Sequence, residues 1–492
     1  MRFGRFAKGF LIALWIVCAY RAATQSITHD EAMTYRNFLA LPFSQLFNYY
    51  DANHHFLNTI LMYFSTSLFG FSEWAMRLPA LAGAALYFAG VYRLSRSLFG
   101  EQWLQLPAVA LLTLNPLVLD MLVAARGYSL GIGLWFWALT AALPYLETPE
   151  SVTPRQLAES GVALALSVTA NLVFLAPAVV LAGWTVGRGI SRRPKEESRL
   201  APVPKGRKKL AARKDAPAPV APNVWRYFAL PIAGVALIFF LTAPLELARS
   251  GDFYAGLQTA AESLRNLASA SLEHGGLLRG ARAAGVLRDA AAFVLAPAIV
   301  LGGLVVGIVR RNAFLALAAG SALGSAVLLL ALHLAMGLPY PMDRTGIYFL
   351  VLVPLALLGL VKCELRAVEA AAGLVGVLLI AVFVSEFDVR KFLVWEYDAD
   401  TKELANRLAQ LSRNKPAGSV KLAASWQLEP SLNFYRDTNH WEWLRPVDRS
   451  PLGPGADFYA LISADRDAAR TLGLQAIYQG PVSRTVLASP LR

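Results

Sequence analysis

The chain has 492 residues, of which 56% are hydrophobic and 16% charged, and its formal net charge is +13. Soluble globular domains are about half apolar and a quarter charged, so this composition excludes an ordinary soluble protein. Repeated apolar runs of the ~20 residues needed to cross a bilayer predict an α-helical polytopic membrane protein. The two cysteines, Cys18 and Cys363, suggest neither a disulfide framework nor a metal site.

The apolar runs predict about eleven transmembrane helices. The first run follows the basic stretch "MRFGRFAKG" and lacks a small-residue cleavage site, so we expect a retained helix. The segment 56–71 is short and polar for a span, and we interpret it as helix lying at the membrane interface; a span there would change the helix count. The predicted helices begin near residues 10, 75, 104, 125, 157, 172, 227, 289, 313, 345 and 367.

The distribution of Lys and Arg predicts which side each turn faces. Basic residues are retained on the cytoplasmic side of membranes, and the turns after even-numbered helices are basic, which places the N-terminus in the cytoplasm. These turns lie at 93–97, 187–215, 310–312 and 362–366. Residues of about 191–224 mix Pro, Ala, Lys and Arg without apolar periodicity, so we expect a disordered cytoplasmic linker near membrane lipid and no nucleic-acid partner.

The composition becomes ordinary after residue 385. Stretches such as "DFYALIS" and "QAIYQG" are typical of strands, and "DADTKELANRLAQLSR" is typical of a helix. We therefore predict a transmembrane domain over 1–385 and a small α/β domain over 386–492. The helix count places the second domain on the extracytoplasmic side.

Charged residues and histidines stand out in the predicted outer segments. His29, Asp30 and Glu31 follow the first helix directly, where they either cap the next helix, with Thr28 and Glu31 as a capping box, or form part of a site. The next outer segment contains "NHHF". Histidine binds metals and carries protons near neutral pH, but neighbours on a helix point about 100° apart, so at most one of this pair is expected to act.

Three arginines occur at predicted outer helix ends: Arg77, Arg126 and Arg344. Each alone is explained by snorkelling towards the lipid headgroups. Together with the carboxylates they converge on one side of the membrane from helices distant in sequence. The planar guanidinium fork suits phosphate oxygens, so this pattern favours a membrane-level pocket for a reaction on a lipid-linked phosphate.

Four motifs in order, "THDEA", "NHHFLNTILMYFSTSLFGFSEWAMRLPALAGA", "AARGYSL" and "YPMDRTGIYFLVLVPL", resemble the bacterial members of glycosyltransferase family 39. This family includes protein O-mannosyltransferases and is related to the aminoarabinose transferase of lipid A, all with the GT-C fold. The resemblance covers most of 1–175 and returns at 335–445. It implies a multi-pass enzyme of the bacterial inner membrane and cell envelope that inverts the anomeric carbon of a sugar linked to polyprenyl phosphate.

The resemblance also implies roles for individual residues. The expected catalytic pair is Asp30, as base, with its neighbour Glu31, and no cofactor is required, although a divalent cation is compatible with the pattern. The donor phosphate is expected to bind Arg126, Tyr128, Tyr340 and Arg344. His54 and His55 are candidates for contacting the acceptor or a metal.

Other functions remain open from the residues alone. The chain is predicted to be a hexosyl- or pentosyltransferase whose acceptor is a protein, a lipid or a glycan. A carrier-lipid glycan ligase of the same broad fold is the nearest enzymatic alternative. A transporter would place charges near the bilayer midplane, whereas these lie at helix ends. A scaffold that binds a partner through the aromatic stretch "NHWEWLRP" leaves the acid and arginine clusters unexplained.

Overall fold

The computed structural model describes residues 2–47, 54–147, 153–191, 224–229, 231–232, 256–273 and 282–491. Apart from its ends, the linker predicted at about 191–224 lies outside these residues. Most of the span predicted near residue 227 also lies outside them.

Seven helices within the described residues are long and apolar enough to cross a membrane. They correspond to seven of the predicted spans, so the prediction of an α-helical polytopic membrane protein is confirmed. The seven are Phe3–Thr24, Glu73–Phe99, Tyr128–Leu146, Ala284–Val309, Ala313–Met336, Asp343–Leu360 and Arg366–Ser385.

Three other predicted spans are shorter than expected. The span predicted near residue 104 is two helices, Gln105–Thr113 and Pro116–Met121, because Asn115 caps the second and Pro116 cannot continue the first. The spans predicted near 157 and 172 are Pro154–Ala170 and Leu175–Ser191, with 17 residues each. A helix of that length extends about 26 Å.

The segment predicted at the membrane interface, within the second motif, is the helix Phe56–Phe69. Its 14 residues extend about 21 Å, which is short of the ~30 Å bilayer core. The structure therefore agrees with a segment that does not span; its place at the membrane interface stays a prediction. The described chain also contains the helix Ala260–Leu272 and a short helix at His29–Thr34, called the site helix below.

The small α/β domain predicted at the C-terminal end is present. Its sheet has four strands in the order β1-β2-β4-β3, with β1 and β2 parallel and the other pairs antiparallel. The strand β4 was not predicted. The strands are β1 Leu422–Ala424, β2 Phe458–Leu461, β3 Leu474–Gln479 and β4 Val486–Pro490, and the helices around them are Thr401–Ser412, Glu429–Thr438 and Arg466–Thr471.

Close contact between two central helices, Glu73–Phe99 and Tyr128–Glu147, depends on glycine. A Cβ atom at Gly83 would lie 2.4 Å from the backbone nitrogen of Leu130, and one at Gly133 would lie 2.4 Å from the carbonyl oxygen of Gly83. Small residues let membrane helices approach closely enough for backbone packing to hold them together. The core of the transmembrane part is built on this pair.

Buried polar contacts tie the C-terminal domain to the first helices. Asp120 accepts hydrogen bonds from the Arg21 guanidinium at 2.6 Å and from the Leu393 backbone at 2.8 Å. The Tyr435 hydroxyl donates to Glu73 at 3.0 Å and accepts from the Ile27 backbone at 2.9 Å. Removing one partner from such a buried pair is costly, so these contacts fix the domain beside the site helix.

Candidate active site

The site helix begins with the capping box predicted from "THDE". The Thr28 hydroxyl accepts from the Glu31 backbone at 3.3 Å, and the Glu31 carboxylate accepts from the Thr28 backbone at 2.9 Å. The capping interpretation is therefore confirmed for Thr28 and Glu31. It leaves the side chain of Asp30, in the same turn, available for other partners.

Glu31 is completely buried and satisfied on both oxygens. Arg77 donates to these oxygens at 2.9 and 2.7 Å, and the Ala125 backbone donates at 2.8 Å. Burial opposes the charged form, but the charge and hydrogen bonds of Arg77 outweigh it and lower the pKa of Glu31. Arg77 also donates to the carbonyls of residues 22, 25 and 26, so this pair anchors the site helix to the next long helix.

Asp30 has a different environment, because its side chain is 13% exposed and is held by two arginines. One carboxylate oxygen lies 2.9 Å from Arg344 and 3.5 Å from Arg126. Burial works against ionisation, but the two guanidinium charges outweigh it and lower the pKa of Asp30. Asp30 is therefore an ionised carboxylate at neutral pH that a ligand can reach, with two cations beside it.

Arg126 reaches the site from a tight turn at Gly127. The φ of Gly127 is 71°, and a Cβ atom there would lie 2.2 Å from the Ala170 carbonyl, so only glycine fits. The Asn171 side chain donates to the Arg126 carbonyl at 3.1 Å, while the Arg126 guanidinium donates to the Thr34 hydroxyl at 3.2 Å. The turn thereby aims the guanidinium at the site helix.

The C-terminal junction supplies a site residue that the sequence did not reveal. Trp395 is buried, helps to lower the pKa of Asp30 and lies beneath Arg344, whose guanidinium carbon is 5.0 Å from the ring centre. The aromatic stretch "FLVWEY" at the junction was the available signal, but nothing local connects it with residue 30. Four distant chain segments therefore meet at the Asp30 carboxylate.

The two tyrosines predicted to bind phosphate lie in different places. Tyr128 is buried next to His55, with ring centres 5.7 Å apart, and is within electrostatic range of Arg344. Tyr340 packs on His333, with ring centres 4.4 Å apart, and its backbone pairs with Leu257. The geometry associates Tyr128 with the arginine cluster and Tyr340 with the end of the helix Ala313–Met336.

His54 and His55 are both held in the neutral form. Burial lowers the pKa of His54 to about 4, and its ring stacks on Phe38 at 4.3 Å. Burial and the nearby charge of Arg126 hold the pKa of His55 well below its usual value. Among the described residues, both ring nitrogens of His54 and the Nε2 atom of His55 have no hydrogen-bond partner.

Neutral imidazoles are competent metal ligands, but a metal site needs several of them together. Within the described ranges, no group of three or more His, Cys, Asp or Glu side chains is arranged to hold a metal ion. A divalent cation at His54 or His55 therefore stays a prediction. The charges of the cluster formed by Asp30, Arg126 and Arg344 suit both species of the expected reaction: the carboxylate attracts a proton, and the guanidinium groups attract a phosphate.

Comparisons with known proteins bear on this arrangement. The family model described as dolichyl-phosphate-mannose-protein mannosyltransferase matches residues 53–199. A search of the curated proteins found no match. Among solved structures, the chain is similar to ArnT from Cupriavidus metallidurans bound to undecaprenyl phosphate, with 14% identity, a TM-score of 0.41 and coverage of 98% of this chain and 97% of that chain.

The chain is also similar to the arabinofuranosyltransferase AftD from Mycobacteria, with 15% identity and a TM-score of 0.47, over 99% of this chain and 40% of that chain. The segment matched by the family model includes both histidines, Arg77, Arg126 and Tyr128. The glycosyltransferase resemblance predicted from the motifs is thus confirmed over that segment. Over residues 53–199 the chain is similar to the glycosyltransferase family that this model describes.

Proposed function

We propose that the protein is an inverting membrane glycosyltransferase that moves a sugar from a polyprenyl-phosphate donor to an acceptor hydroxyl. The reaction takes place on the extracytoplasmic side of the bacterial inner membrane, with the N-terminus in the cytoplasm. The observation that supports this most is the reachable Asp30 carboxylate held between Arg126 and Arg344. The glycosyltransferase domain at 53–199 supports the reaction class.

Asp30 acts as the base in this proposal. An alcohol is a much weaker acid than a carboxylic acid, so the proton moves to Asp30 only as the new bond forms between the acceptor oxygen and the anomeric carbon. The bond from that carbon to the donor phosphate breaks at the same time, and its electron pair leaves with the phosphate. Because attack and departure occur on opposite faces of the sugar, the configuration inverts.

Arg126 and Arg344 stabilise the departing phosphate. In the structure both guanidinium groups share one oxygen of Asp30, so two positive charges face one negative charge. An incoming phosphate competes with Asp30 for these donors and takes up the excess positive charge. Withdrawing an arginine from Asp30 also raises the affinity of that carboxylate for a proton, which couples donor binding to activation of the base.

The remaining candidates have supporting roles. Tyr128 lies beside the arginine cluster and offers a hydroxyl to the phosphate. Tyr340, whose ring packs on His333, is a weaker candidate for binding the phosphate. Glu31 holds the site helix in place and contacts no reactant. His54 and His55 offer neutral imidazole nitrogens to an acceptor or donor group, and His55 does so close to the charge of Arg126.

The direct test uses purified protein, a panel of polyprenyl-phosphate sugars with radiolabelled sugar, and membrane extracts as acceptors. The proposal predicts that label leaves the lipid carrier with one or more donors, and that the anomeric configuration of the product is opposite to that of the donor. A protein in vesicles that moves labelled lipid across the membrane, with the sugar still on its carrier, would instead be a transporter.

A further inference from the structure

A loop of the C-terminal domain lies against the site helix, next to the proposed base. The Nδ1 atom of His29 is 2.7 Å from the carbonyl oxygen of Gln427. The ring of Trp426 meets the His29 ring edge-on, with centres 5.7 Å apart. Trp426 is 55% exposed, so the loop presents a large aromatic face to the outside. Its contact residue, His29, is the neighbour of Asp30 in the site helix.

Beside this tryptophan, a buried carboxylate holds two exposed arginines. Glu429 accepts from Arg36 on one oxygen at 2.8 Å and from Arg449 on the other at 2.9 Å. The glutamate side chain is only 4% exposed, whereas the arginines are 45% and 43% exposed. Two positive charges against one negative charge leave an excess of one, on two side chains that are nearly half exposed.

These residues form one continuous surface. The guanidinium carbon of Arg449 lies 5.8 Å from the centre of the Trp426 ring. Met33 lies between the two arginines, with its sulfur 2.9 Å from Arg36 and 3.5 Å from Arg449. His29, Met33 and Arg36 are four and three residues apart, which is the spacing of one helix face. Asp30 and Thr34 lie on the adjoining face, towards Arg126.

We propose that Trp426, Arg449 and Arg36 form an acceptor subsite for a saccharide that carries a phosphate or carboxylate group. This inference rests on the proposed function. The exposed indole face matches the apolar C–H face of a sugar ring, and the guanidinium N–H groups that do not contact Glu429 match an anionic group. A neutral peptide segment would leave the excess positive charge of the arginines uncompensated.

The position of this surface gives the C-terminal domain a role in a reaction at the transmembrane domain. The donor phosphate binds at Arg126 and Arg344 on one face of the site helix, and the acceptor binds on the neighbouring face. Trp426 contacts His29, which precedes Asp30 in the site helix. In this proposal, a saccharide seated on Trp426 extends past His29 and brings one of its hydroxyl groups to the base. Choice of the acceptor thus belongs to the C-terminal domain and choice of the lipid carrier to the membrane helices.

The test measures initial rates with a saturating donor and increasing acceptor. The acceptors are a glycolipid fraction and a soluble polysaccharide fraction of the cell envelope, each intact and after phosphate removal or carboxylate reduction, together with a serine-rich peptide. The full-length variants are Trp426→Ala and Arg449→Gln. The matched controls are Trp103→Ala and Arg470→Gln. Trp103 is an exposed tryptophan distant in sequence from Trp426, and Arg470 is an exposed arginine of the C-terminal domain.

We expect the acceptor KM to rise about tenfold or more in Trp426→Ala and Arg449→Gln, with the donor KM and the control variants unchanged. Removing the anionic group should weaken the acceptor for wild type and much less for Arg449→Gln. Whichever fraction accepts the label, glycolipid or polysaccharide, identifies the source of the saccharide.

An unchanged acceptor KM in both variants would overturn the subsite while leaving the transferase intact. Preferential transfer to the peptide, or to the uncharged saccharides, would do the same. If wild type transfers no label from any donor to any fraction, the proposed function itself is overturned, and the subsite with it.

Discussion

Asp30 and Glu31 are adjacent carboxylates in opposite settings. Glu31 has no exposed surface, and its hydrogen-bond donors all belong to the fold: Arg77 and the backbones of Thr28 and Ala125. Asp30 is partly exposed and shares two arginines that a phosphate can also bind. A buried carboxylate with complete partners thus holds the structure together, whereas one with excess positive charge at an open edge is available for chemistry.

Glu31→Gln should give the largest effect, because it leaves the Arg77 guanidinium buried without a counter-charge. We expect the free energy of unfolding to fall by about 3 to 5 kcal/mol. Thermal or denaturant unfolding of the purified protein in detergent measures this. Asp30→Asn is the matched control. In this variant Arg344 stays partly exposed and packed on Trp395, and Arg126 keeps its hydrogen bond to Thr34. Equal stability of Glu31→Gln and wild type would refute the anchor role.

Arg344→Gln should mainly affect the reaction. It removes a charge from the departing phosphate, and losing one such donor typically costs about 2.7 to 4 kcal/mol of transition-state stabilisation, or roughly 10² to 10³ in rate. Donor kcat/KM measured with saturating acceptor tests this. The control is Arg310→Gln, an exposed arginine just after the helix Ala284–Val309. A rate like that of wild type would remove Arg344 from the site.

Asp398 is a third carboxylate beside the site helix, and burial dominates its environment. Burial raises the pKa of Asp398 to about 8, even though it accepts from the His29 backbone at 2.6 Å. A raised pKa means that the folded state holds a proton that the unfolded state releases at lower pH. Stability from this group is thus present below the ordinary pKa and is lost as pH rises through about 8.

We therefore expect the free energy of unfolding to fall by up to about 1.4 kcal/mol per pH unit as pH rises from about 5 to about 8. Asp398→Asn should flatten this dependence, because the amide cannot ionise. Unfolding temperatures of both proteins across this range provide the measurement. A parallel decline in the variant would show that another group is responsible.

Trp395→Phe should have the smallest of these effects. The phenyl ring still lies beneath Arg344, but the indole N–H, which helps to lower the pKa of Asp30, is lost. Loss of a polar contact to a charged group typically costs about 1.5 kcal/mol, so transfer should fall about tenfold. The acid limb of the pH–rate profile should also move to higher pH, because a donor that lowers the pKa of Asp30 is gone. Trp395→Leu, which also removes the aromatic ring, should be more impaired, and a wild-type pH profile in Trp395→Phe would contradict this role.

Much of the fold follows from local sequence. Apolar runs identify seven spans, and the "THDE" pattern identifies a capping box, because each signal lies within one turn or one helix. The span predicted near 104 is divided into two helices, since Pro116 cannot continue the first and Asn115 caps the second. The strand β4 was missed because it lies at the chain end without a clear alternation.

The candidate site was only partly predictable, because its contacts join distant segments. The sequence identified Asp30, Arg126 and Arg344 as candidates, and their convergence is a property of the fold. It did not divide the roles of Asp30 and Glu31, since nothing local shows that Arg77 pairs with Glu31. Trp395 was missed for the same reason: its partner Asp30 lies hundreds of residues earlier.

The most direct test of the division between the two carboxylates is transfer by Asp30→Asn, expressed per folded molecule. Transfer from a polyprenyl-phosphate sugar and the unfolding midpoint are measured on the same purified sample. We predict a loss of about 10² to 10⁴ in rate, the typical contribution of a general base, with an unfolding midpoint close to that of wild type. Transfer at the wild-type rate, or a loss that merely follows unfolding, would contradict the assignment of Asp30 as the base.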